Sequence, residues 1–399
     1  EMCIRDRFFS NRYRDEKKML QVIAAIFIVI FFIPYTASGF AACGKLFSSL
    51  FGVKYLTAMI ISAIVIVAYT TLGGFLAAST TDFIQSIIMS VALIVVLIFG
   101  VETAGGIGAV IHNASELPGY LSMTLSYDVN TGKAAPYSAL TIVSTAAWGL
   151  GYFGMPHILL RFMAIEDEKK LKLSRRVATI WVVISLFVAV FIGVIGYTMS
   201  KVGALEMLTG SNSETIIVKI SALLSQHGVI FALLAGVILA GILASTMSTS
   251  DSQLLAASSA VSSDILGAFR KDSSNKNGSM AAARITLLVI SVVAAFIARN
   301  PDSSVFAIVS FAWAGFGAAF GPVVLFSLFW KRTNKWGALA GMVCGGSMVF
   351  IWKYLIRPLG GIWNIYELLP AFLIACAAIV IVSLLTPKPS KEIEEEFDR

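Results

Sequence analysis

The chain has 399 residues, of which 57% are hydrophobic and only 13% charged, and its mean hydropathy is +0.84. A soluble domain carries about 25% charged residues, so lipid must solvate much of this chain. The net charge of +7 fits basic residues gathered in cytoplasmic loops, and the sequence has no basic block with interleaved aromatics, which argues against a nucleic-acid partner.

Apolar segments of about 20 residues predict helices that cross a lipid bilayer. We expect ten of them, joined by loops of different length, with the longest outer loop over residues 102–136. The predicted spans lie near residues 19–41, 57–76, 83–101, 140–160, 177–199, 229–249, 285–298, 305–330, 336–352 and 368–385.

Basic residues are distributed unevenly between alternate loops, which predicts the orientation. Of the 30 Lys and Arg residues, 22 lie on the side of both termini. We therefore expect a cytoplasmic segment over residues 1–18, a transmembrane domain over 19–386 and a cytoplasmic tail over 387–399. The other eight lie in outer loops: Lys45, Lys54, Lys133, Lys201, Lys219, Arg299, Lys353 and Arg357.

Asp82 follows Ser79, Thr80 and Thr81 at the start of the third predicted span. An acidic side chain at membrane depth is a candidate functional residue. The hydroxyl residues before it are equally typical of an ordinary helix N-terminus. Both interpretations stay open on this evidence.

Residues 148–157, WGLGYFGMPH, place three glycines and a proline inside the fourth predicted span. These residues destabilise a helix, and backbone freed at membrane depth must line a cavity or be buried in protein. Transporters expose backbone groups to solutes through such interrupted helices. Trp148 and Tyr152 are four residues apart and share a face. The alternative is close helix packing through small residues.

Residues 245–252, STMSTSDS, place Ser245, Ser248, Thr249 and Ser252 on one helix face. Such a row of oxygens, with backbone carbonyls, provides the hard ligands that Na⁺ prefers. The alternative is that each hydroxyl bonds a carbonyl of its own helix. Farther along, WAGFGAAFGP at residues 313–322 is explained by small-residue packing and bending.

No sequence pattern for catalysis is present. We find no phosphate-binding loop, no nucleophile elbow and no acid–base pair within one span. The three histidines are far apart in sequence, and the four cysteines form no Cys-x-x-Cys pair. The chain is therefore predicted not to be an enzyme.

At these motifs the chain resembles the sodium:solute symporter family, and within it the proline branch. The resemblance extends from about residue 8 to residue 387. WGLGYFG-P-H followed by RFMA is its most specific part. The other matching stretches are YTASG at 35–39, GGFL at 73–76, MST at 247–249 and residues 312–325.

The resemblance implies an all-α membrane protein with the inverted-repeat helical bundle of the bacterial leucine transporter. It implies that Trp148, Tyr152 and Pro156 shape a proline site, over which Tyr35 closes. The sodium ligands that it implies are the Ser248 and Thr249 hydroxyls and the Ser245 backbone carbonyl, and it implicates Asp82 in sodium passage. Met155 lies where some relatives have glutamine.

Family members have thirteen spans and begin roughly a hundred residues earlier, so the resemblance implies that this chain holds the last ten. The chain begins with Glu1, and its first residues have no signal-peptide pattern. We therefore expect an N-terminally truncated fragment, whose first residues are not native and which does not transport alone. Sodium-driven uptake by the 399-residue chain alone would contradict this expectation.

The function that the resemblance implies is sodium-coupled uptake of L-proline through a bacterial inner membrane. Two alternatives remain open. One is sodium symport of another small organic solute such as pantothenate, which competition by unlabelled solutes distinguishes. The other is a transporter-like sensor domain, which needs a signalling module after the last span.

Overall fold

The computed structural model describes residues 3–129, 131–163, 165, 167–266 and 276–397, with side chains of residues 3–7, 72–79, 160, 161 and 276–280 excepted. Helices α1 to α14 comprise Cys3–Tyr13, Met19–Phe51, Tyr55–Thr103, Ile107–Ser115, Ala139–Ala146, Pro156–Met163, Leu171–Lys201, Ile216–Leu224, Val229–Ser259, Lys276–Ile297, Val305–Phe329, Lys335–Ile351, Leu368–Leu385 and Lys391–Phe397. Strands β1, Leu125–Asp128, and β2, Lys133–Pro136, form an antiparallel hairpin.

Each of the ten predicted spans falls on a helical segment. Within the described part of the chain, seven helices are long and apolar enough to cross a membrane, and Tyr55–Thr71 and Ala281–Ile297 are shorter apolar helices. The remaining predicted span corresponds to α5 and α6 with the segment between them. The chain is thus an all-α membrane protein, apart from the β1–β2 hairpin.

The second and third predicted spans both lie in α3, which is helical from Tyr55 to Thr103. The hydroxyl of Tyr69 lies 2.7 Å from that of Thr81, twelve residues later. Twelve residues of straight helix measure about 18 Å, farther than these two side chains reach. The helical run must therefore change direction between them, as two successive spans require.

Helix α11 occupies the centre of the bundle. In its most apolar segment 72% is buried. In Thr80–Thr103 and in the span that contains α7, only 17% of the corresponding segment is buried. Helix α11 packs against α2, α12, α13 and the segment after α5. The outward side chains of α7, among them Val183, Phe187 and Val190, are more than half exposed, because their partner in a membrane is lipid.

The two terminal segments meet at the end of the bundle where α2 begins. Asp15 is buried, and its carboxylate accepts a 2.7 Å hydrogen bond from the amide of Leu20, which caps the first turn of α2. Arg14 pairs with Glu396 of α14 at 3.0 Å, and Arg12 lies over the ring of Phe397. Residues 3–18 and 387–397 therefore lie on the same side.

Some residues of the sequence motifs lie outside the described part. Ala164 is not described, and neither are the side chains of Arg161 and of residues 73–76. Arg270, Lys271 and Arg399 are not described either. They are among the 22 basic residues from which the orientation was predicted.

Candidate functional site

The fourth span is interrupted where the glycines and the proline predict it. Helix α5 ends at Ala146, residues Ala147–Gly154 form a 3₁₀ helix, and Met155 is extended before Pro156 begins α6. Proline suits the first position of a helix because its missing N–H needs no partner there. The observed break therefore follows directly from the sequence of this segment.

Trp148, within the break, is surrounded by three aromatic rings that lie nearly parallel to its own. The ring centroids are 5.4 Å away for Trp313, 5.6 Å for Phe306 and 5.7 Å for Tyr366, with interplanar angles of 9–16°. We call these four residues the aromatic cluster. Stacking fixes the orientation of the Trp148 ring.

Trp313 of α11 joins the two predicted solute residues of the broken span. Its indole N–H donates to the backbone carbonyl of Trp148 at 2.9 Å. The ring of Tyr152 meets the Trp313 ring edge-on, at 4.8 Å between centroids. Tyr152 is 44% exposed, so part of its ring is not covered by the described residues.

The glycines of the break are explained by close packing against α11. A methyl group at Gly151 would overlap the Trp313 indole, and one at Gly154 would overlap the backbone carbonyl of Phe316. A Cβ atom on Gly317 would lie 2.8 Å from the Cα of Gly151. The packing interpretation therefore accounts for these glycines, and the backbone of the span is nonetheless interrupted.

Tyr35 and Pro156, the other two predicted solute residues, lie at the end of the break where α6 begins. Tyr35 is 9% exposed on α2, and its ring lies 6.2 Å from that of His157, the neighbour of Pro156. The structure therefore brings the four predicted solute residues to one region, where α2, α11 and the broken span meet.

A cavity of about 200 Å³ lies beside Gly154 and Pro156. Most of the residues that line it are apolar, including Phe8 and Phe9 of α1 and Phe320 of α11. An amino-acid zwitterion requires polar groups around its charges. The cavity is therefore poorly suited to hold such a solute, in contrast to the partly exposed face of Tyr152.

The predicted sodium ligands lie together on α9. The hydroxyls of Ser248 and Thr249 donate to the backbone carbonyl of Ser245 at 3.2 and 3.0 Å. We call these three oxygens the carbonyl–hydroxyl cluster. The Ser245 hydroxyl bonds the carbonyl of Ile242. These bonds match the alternative given for this motif in the sequence analysis, in which each hydroxyl bonds a carbonyl of its own helix.

The spacing of the carbonyl–hydroxyl cluster is also suited to a cation. Oxygen ligands at about 2.4 Å from a cation of the size of Ca²⁺ or Na⁺ lie about 3.4 Å from one another. A hydroxyl that donates one hydrogen bond keeps lone pairs that can coordinate. The geometry therefore permits both interpretations.

Helix α2 connects the solute region with the carbonyl–hydroxyl cluster. Gly39, one turn after Tyr35, lies against α9, where a methyl group would overlap the Ser250 hydroxyl and contact Thr246 at 3.6 Å. One turn farther along α9, the Gln253 side chain accepts a 3.5 Å bond from Thr36. Both Gln253 and Asp251 are fully buried.

Asp82, the last predicted residue, is half-buried in α3. It follows Thr81, whose hydroxyl meets Tyr69. Although α3 is helical from Tyr55 to Thr103, its direction changes between Tyr69 and Thr81, so Asp82 lies near the start of the second of its two spans. Both interpretations of Asp82 therefore stay open.

Comparison with known proteins identifies the family of this helical bundle. The profile of the Sodium:solute symporter family matches residues 3–345. This chain belongs to the sodium:solute symporter family. As a member of that family it is a sodium-coupled membrane transporter and not an enzyme.

Curated relatives cover nearly the whole chain. It is 38% identical to the osmoregulated proline transporter OpuE of Bacillus subtilis over 384 residues, which are 96% of the chain and 74% of the relative. It is also 38% identical to the sodium/proline symporter of Salmonella typhimurium over 391 residues, and to the high-affinity proline transporter PutP of Bacillus subtilis over 393. Those alignments cover 98% of the chain and 74% and 78% of the two relatives.

A solved structure shares the fold. The substrate-bound, outward-open Na⁺-coupled sialic acid symporter superposes with a TM-score of 0.74, over 96% of this chain and 78% of the other. The sequence identity is 17%. The leucine-transporter-like fold expected from the resemblance is confirmed, and this structure is evidence for the fold alone.

Glu214, in the segment between α7 and α8, is a residue that the sequence analysis missed. Its carboxylate accepts bonds from Lys45 and from the Ser304 hydroxyl, both at 2.8 Å, and from the amides of Val305 and Phe306 at 3.2 Å. It thereby caps α11 and joins that helix to the C-terminal part of α2. The only sequence signal is an acid between two predicted spans, because its partners are 90 and more residues away.

The environment of Glu214 favours the charged carboxylate. Burial alone raises the pKa of this group. The hydrogen bonds from Lys45, Ser304 and the two amides outweigh burial and hold the pKa below its ordinary value of 4.5. Phe306, whose amide bonds Glu214, stacks on Trp148, so the loop is connected to the aromatic cluster of this symporter.

Proposed function

We propose that the full-length protein carries L-proline into the cell together with Na⁺. The observation that carries this proposal is the 38% identity, over at least 96% of the chain, to relatives that are named as proline transporters. The grouping of Tyr35, Trp148, Tyr152 and Pro156 around an interrupted span supports it, because transporters typically form a mid-membrane solute site at discontinuous helices.

The proposed solute site uses apolar and polar parts of the same residues. The pyrrolidine ring of proline packs against Trp148 and Tyr152, while the break provides backbone groups for the charged ends of the zwitterion. Pro156 fixes where α6 begins and so sets the position of these groups. Tyr35 closes the site from α2 and brings a hydroxyl to it.

The proposed sodium site is the carbonyl–hydroxyl cluster of Ser245, Ser248 and Thr249. Further ligands are needed, because three oxygens are fewer than a hard cation of this size takes. Asp82 is proposed to serve sodium passage, as a carboxylate at membrane depth beside the Tyr69–Thr81 contact. Sodium that binds between α9 and neighbouring helices stabilises one arrangement of the bundle.

We place the protein in the bacterial inner membrane, with the segments 1–18 and 387–399 in the cytoplasm. The excess of basic residues in the loops of that side supports this orientation. Sodium then enters down its gradient, and each charge that crosses contributes about 2.3 kcal/mol per 100 mV. This free energy drives proline inward.

The test is uptake of radiolabelled L-proline by the full-length protein in proteoliposomes, with and without an inward Na⁺ gradient. We expect uptake that requires the gradient and that unlabelled L-proline abolishes, while unlabelled pantothenate does not. Uptake that is equal without the gradient would refute sodium coupling. An absence of proline uptake, with active uptake of another solute, would refute the proline assignment and leave the family intact.

A further inference from the structure

Tyr366, between α12 and α13, connects three parts of the bundle around Trp148. Its ring stacks on Trp148, and its hydroxyl donates to the backbone carbonyl of Ser310 in α11 at 2.6 Å. Its backbone amide donates to the Ser144 hydroxyl in α5 at 2.7 Å. Ser144 is one helical turn before Trp148, and Ser310 is one turn before Trp313. Tyr366 therefore bonds both elements that carry the stacked indoles.

The next residue, Glu367, holds the segment of Tyr366 in place. Its side chain is only 1% exposed, and its carboxylate pairs with Arg357 at 2.8 Å and with Lys353 at 3.9 Å. Arg357 also bonds the Asn364 side chain at 3.1 Å. A buried carboxylate is tolerated only with such partners, so this loop has a defined conformation.

The same ion pairs connect the loop to α11. The Lys353 ammonium group lies 4.2 Å from the ring centroid of Phe311, one residue after Ser310. Glu367 immediately precedes α13, where a negative charge is favourable because the N-terminus of a helix carries partial positive charge. The loop between α12 and α13 is therefore fixed to α11 and α13 as well as to α5.

We infer that Tyr366, held by the Glu367–Arg357 pair, is a positioning residue that sets the orientation of the Trp148 ring and thereby the affinity for the solute. This inference rests on the proposed role of Trp148 in the solute site. Tyr366 acts through Trp148 and need not contact the solute. Because the carbonyl–hydroxyl cluster lies on α9, whereas Tyr366 contacts α5 and α11, sodium activation does not depend on Tyr366.

The test uses Tyr366→Leu, which removes the stacked ring, and Tyr366→Phe, which keeps the ring and removes the bond to Ser310. The matched control is Tyr354→Leu, because Tyr354 lies in the same loop and its ring meets Phe311. In proteoliposomes of the full-length protein, we expect Tyr366→Leu to raise KM for proline about two- to tenfold, the range that an aromatic pair contributes. Tyr366→Phe raises it less, and the Na⁺ concentration for half-maximal uptake stays unchanged.

A second measurement is independent of transport. The fluorescence of Trp148 is obtained as the difference between each protein and the same protein with Trp148→Phe. We expect acrylamide to quench this difference signal more strongly in Tyr366→Leu than in the parent, with Tyr366→Phe close to the parent. Tyr354→Leu leaves both KM and quenching unchanged.

Two results would overturn the inference. One is an unchanged KM and an unchanged Trp148 signal in Tyr366→Leu. The other is a parallel loss of proline affinity, sodium affinity and maximal rate with the Trp148 signal unmoved, which would indicate a general structural role. If the parent protein takes up no proline, the proposed function fails, and the quenching measurement still decides whether Tyr366 positions Trp148.

Discussion

Substitution of Gly154 by alanine tests the packing of the broken span against α11. The new Cβ would overlap the carbonyl oxygen of Phe316, and it would lie 2.8 Å from the carbonyl carbon of Phe316 and 2.9 Å from the amide nitrogen of Gly321. Carbon atoms in contact are normally about 3.5 Å apart, so the two segments must separate by at least about 0.7 Å. The obstacle is backbone on the most buried helix, which cannot turn away as a flexible side chain can.

The expected cost is about 1–3 kcal/mol, the range for added methyl groups in a packed core. Gly149→Ala is the matched control, because nothing lies within 4 Å of its new Cβ in the same 3₁₀ helix. That change is neutral, or stabilises by about 0.4–1 kcal/mol because alanine restricts the unfolded chain.

Thermal unfolding of the purified full-length protein in detergent measures the difference. We expect the unfolding midpoint of Gly154→Ala to lie several degrees below that of Gly149→Ala. Proline uptake also falls in Gly154→Ala alone, because a displaced α11 carries Phe306 and Trp313 away from Trp148. Equal midpoints for the two variants would refute the packing argument.

Three further predictions concern charges and hydroxyls. Glu214→Gln lowers the unfolding midpoint at pH 7, and Glu206→Gln, in the same segment but exposed, is the control. Because the pKa of Glu214 is lowered on folding, its contribution to stability is complete above pH 4.5 and is lost as the pH falls through that lower pKa. A deficit that persists unchanged in acid would contradict this prediction. The double substitution Ser248→Ala with Thr249→Ala raises the Na⁺ concentration for half-maximal uptake at least about tenfold. Thr246→Val is the control and leaves that concentration unchanged, because the Thr246 hydroxyl bonds the carbonyl of Ile242 instead. Equal effects of the two changes would argue against the sodium site. Asp15→Ala costs about 0.5–2 kcal/mol of stability through loss of the α2 cap, measured as a lower unfolding midpoint, and Glu16→Ala, next to it, leaves the midpoint unchanged.

Much of the fold was predictable because membrane helices are marked by length and apolarity. The ten apolar segments all fall on helical segments, and the break after Ala146 follows from three glycines and Pro156. The direction change within α3 was predictable only as a boundary between two spans. Helix α8 and its loop were not predicted, because a nine-residue helix is too short to give a membrane signal.

The candidate site was predictable only where its residues are close in sequence. Trp148 and Tyr152 share a helical face, and Ser245, Ser248 and Thr249 are within one turn. The aromatic cluster was missed because Trp313 and Tyr366 are 165 and 218 residues from Trp148. In addition, the small residues that follow Trp313 were explained by helix packing alone, so that segment was not considered as part of a site. Contacts over such distances depend on how helices pack, which periodicity does not reveal.

The bonds from Ser248 and Thr249 to the Ser245 carbonyl have a consequence for a transport cycle. A symporter must return without cargo, and at the proposed sodium site the release of the ion frees oxygen lone pairs, because these are what coordinate a cation. A carbonyl left without a partner at membrane depth would cost several kcal/mol. Here the Ser245 carbonyl accepts bonds from two hydroxyls of its own helix that require no ion. Release of the ion would therefore leave this carbonyl with partners, and the return of the empty carrier would not be slowed by it.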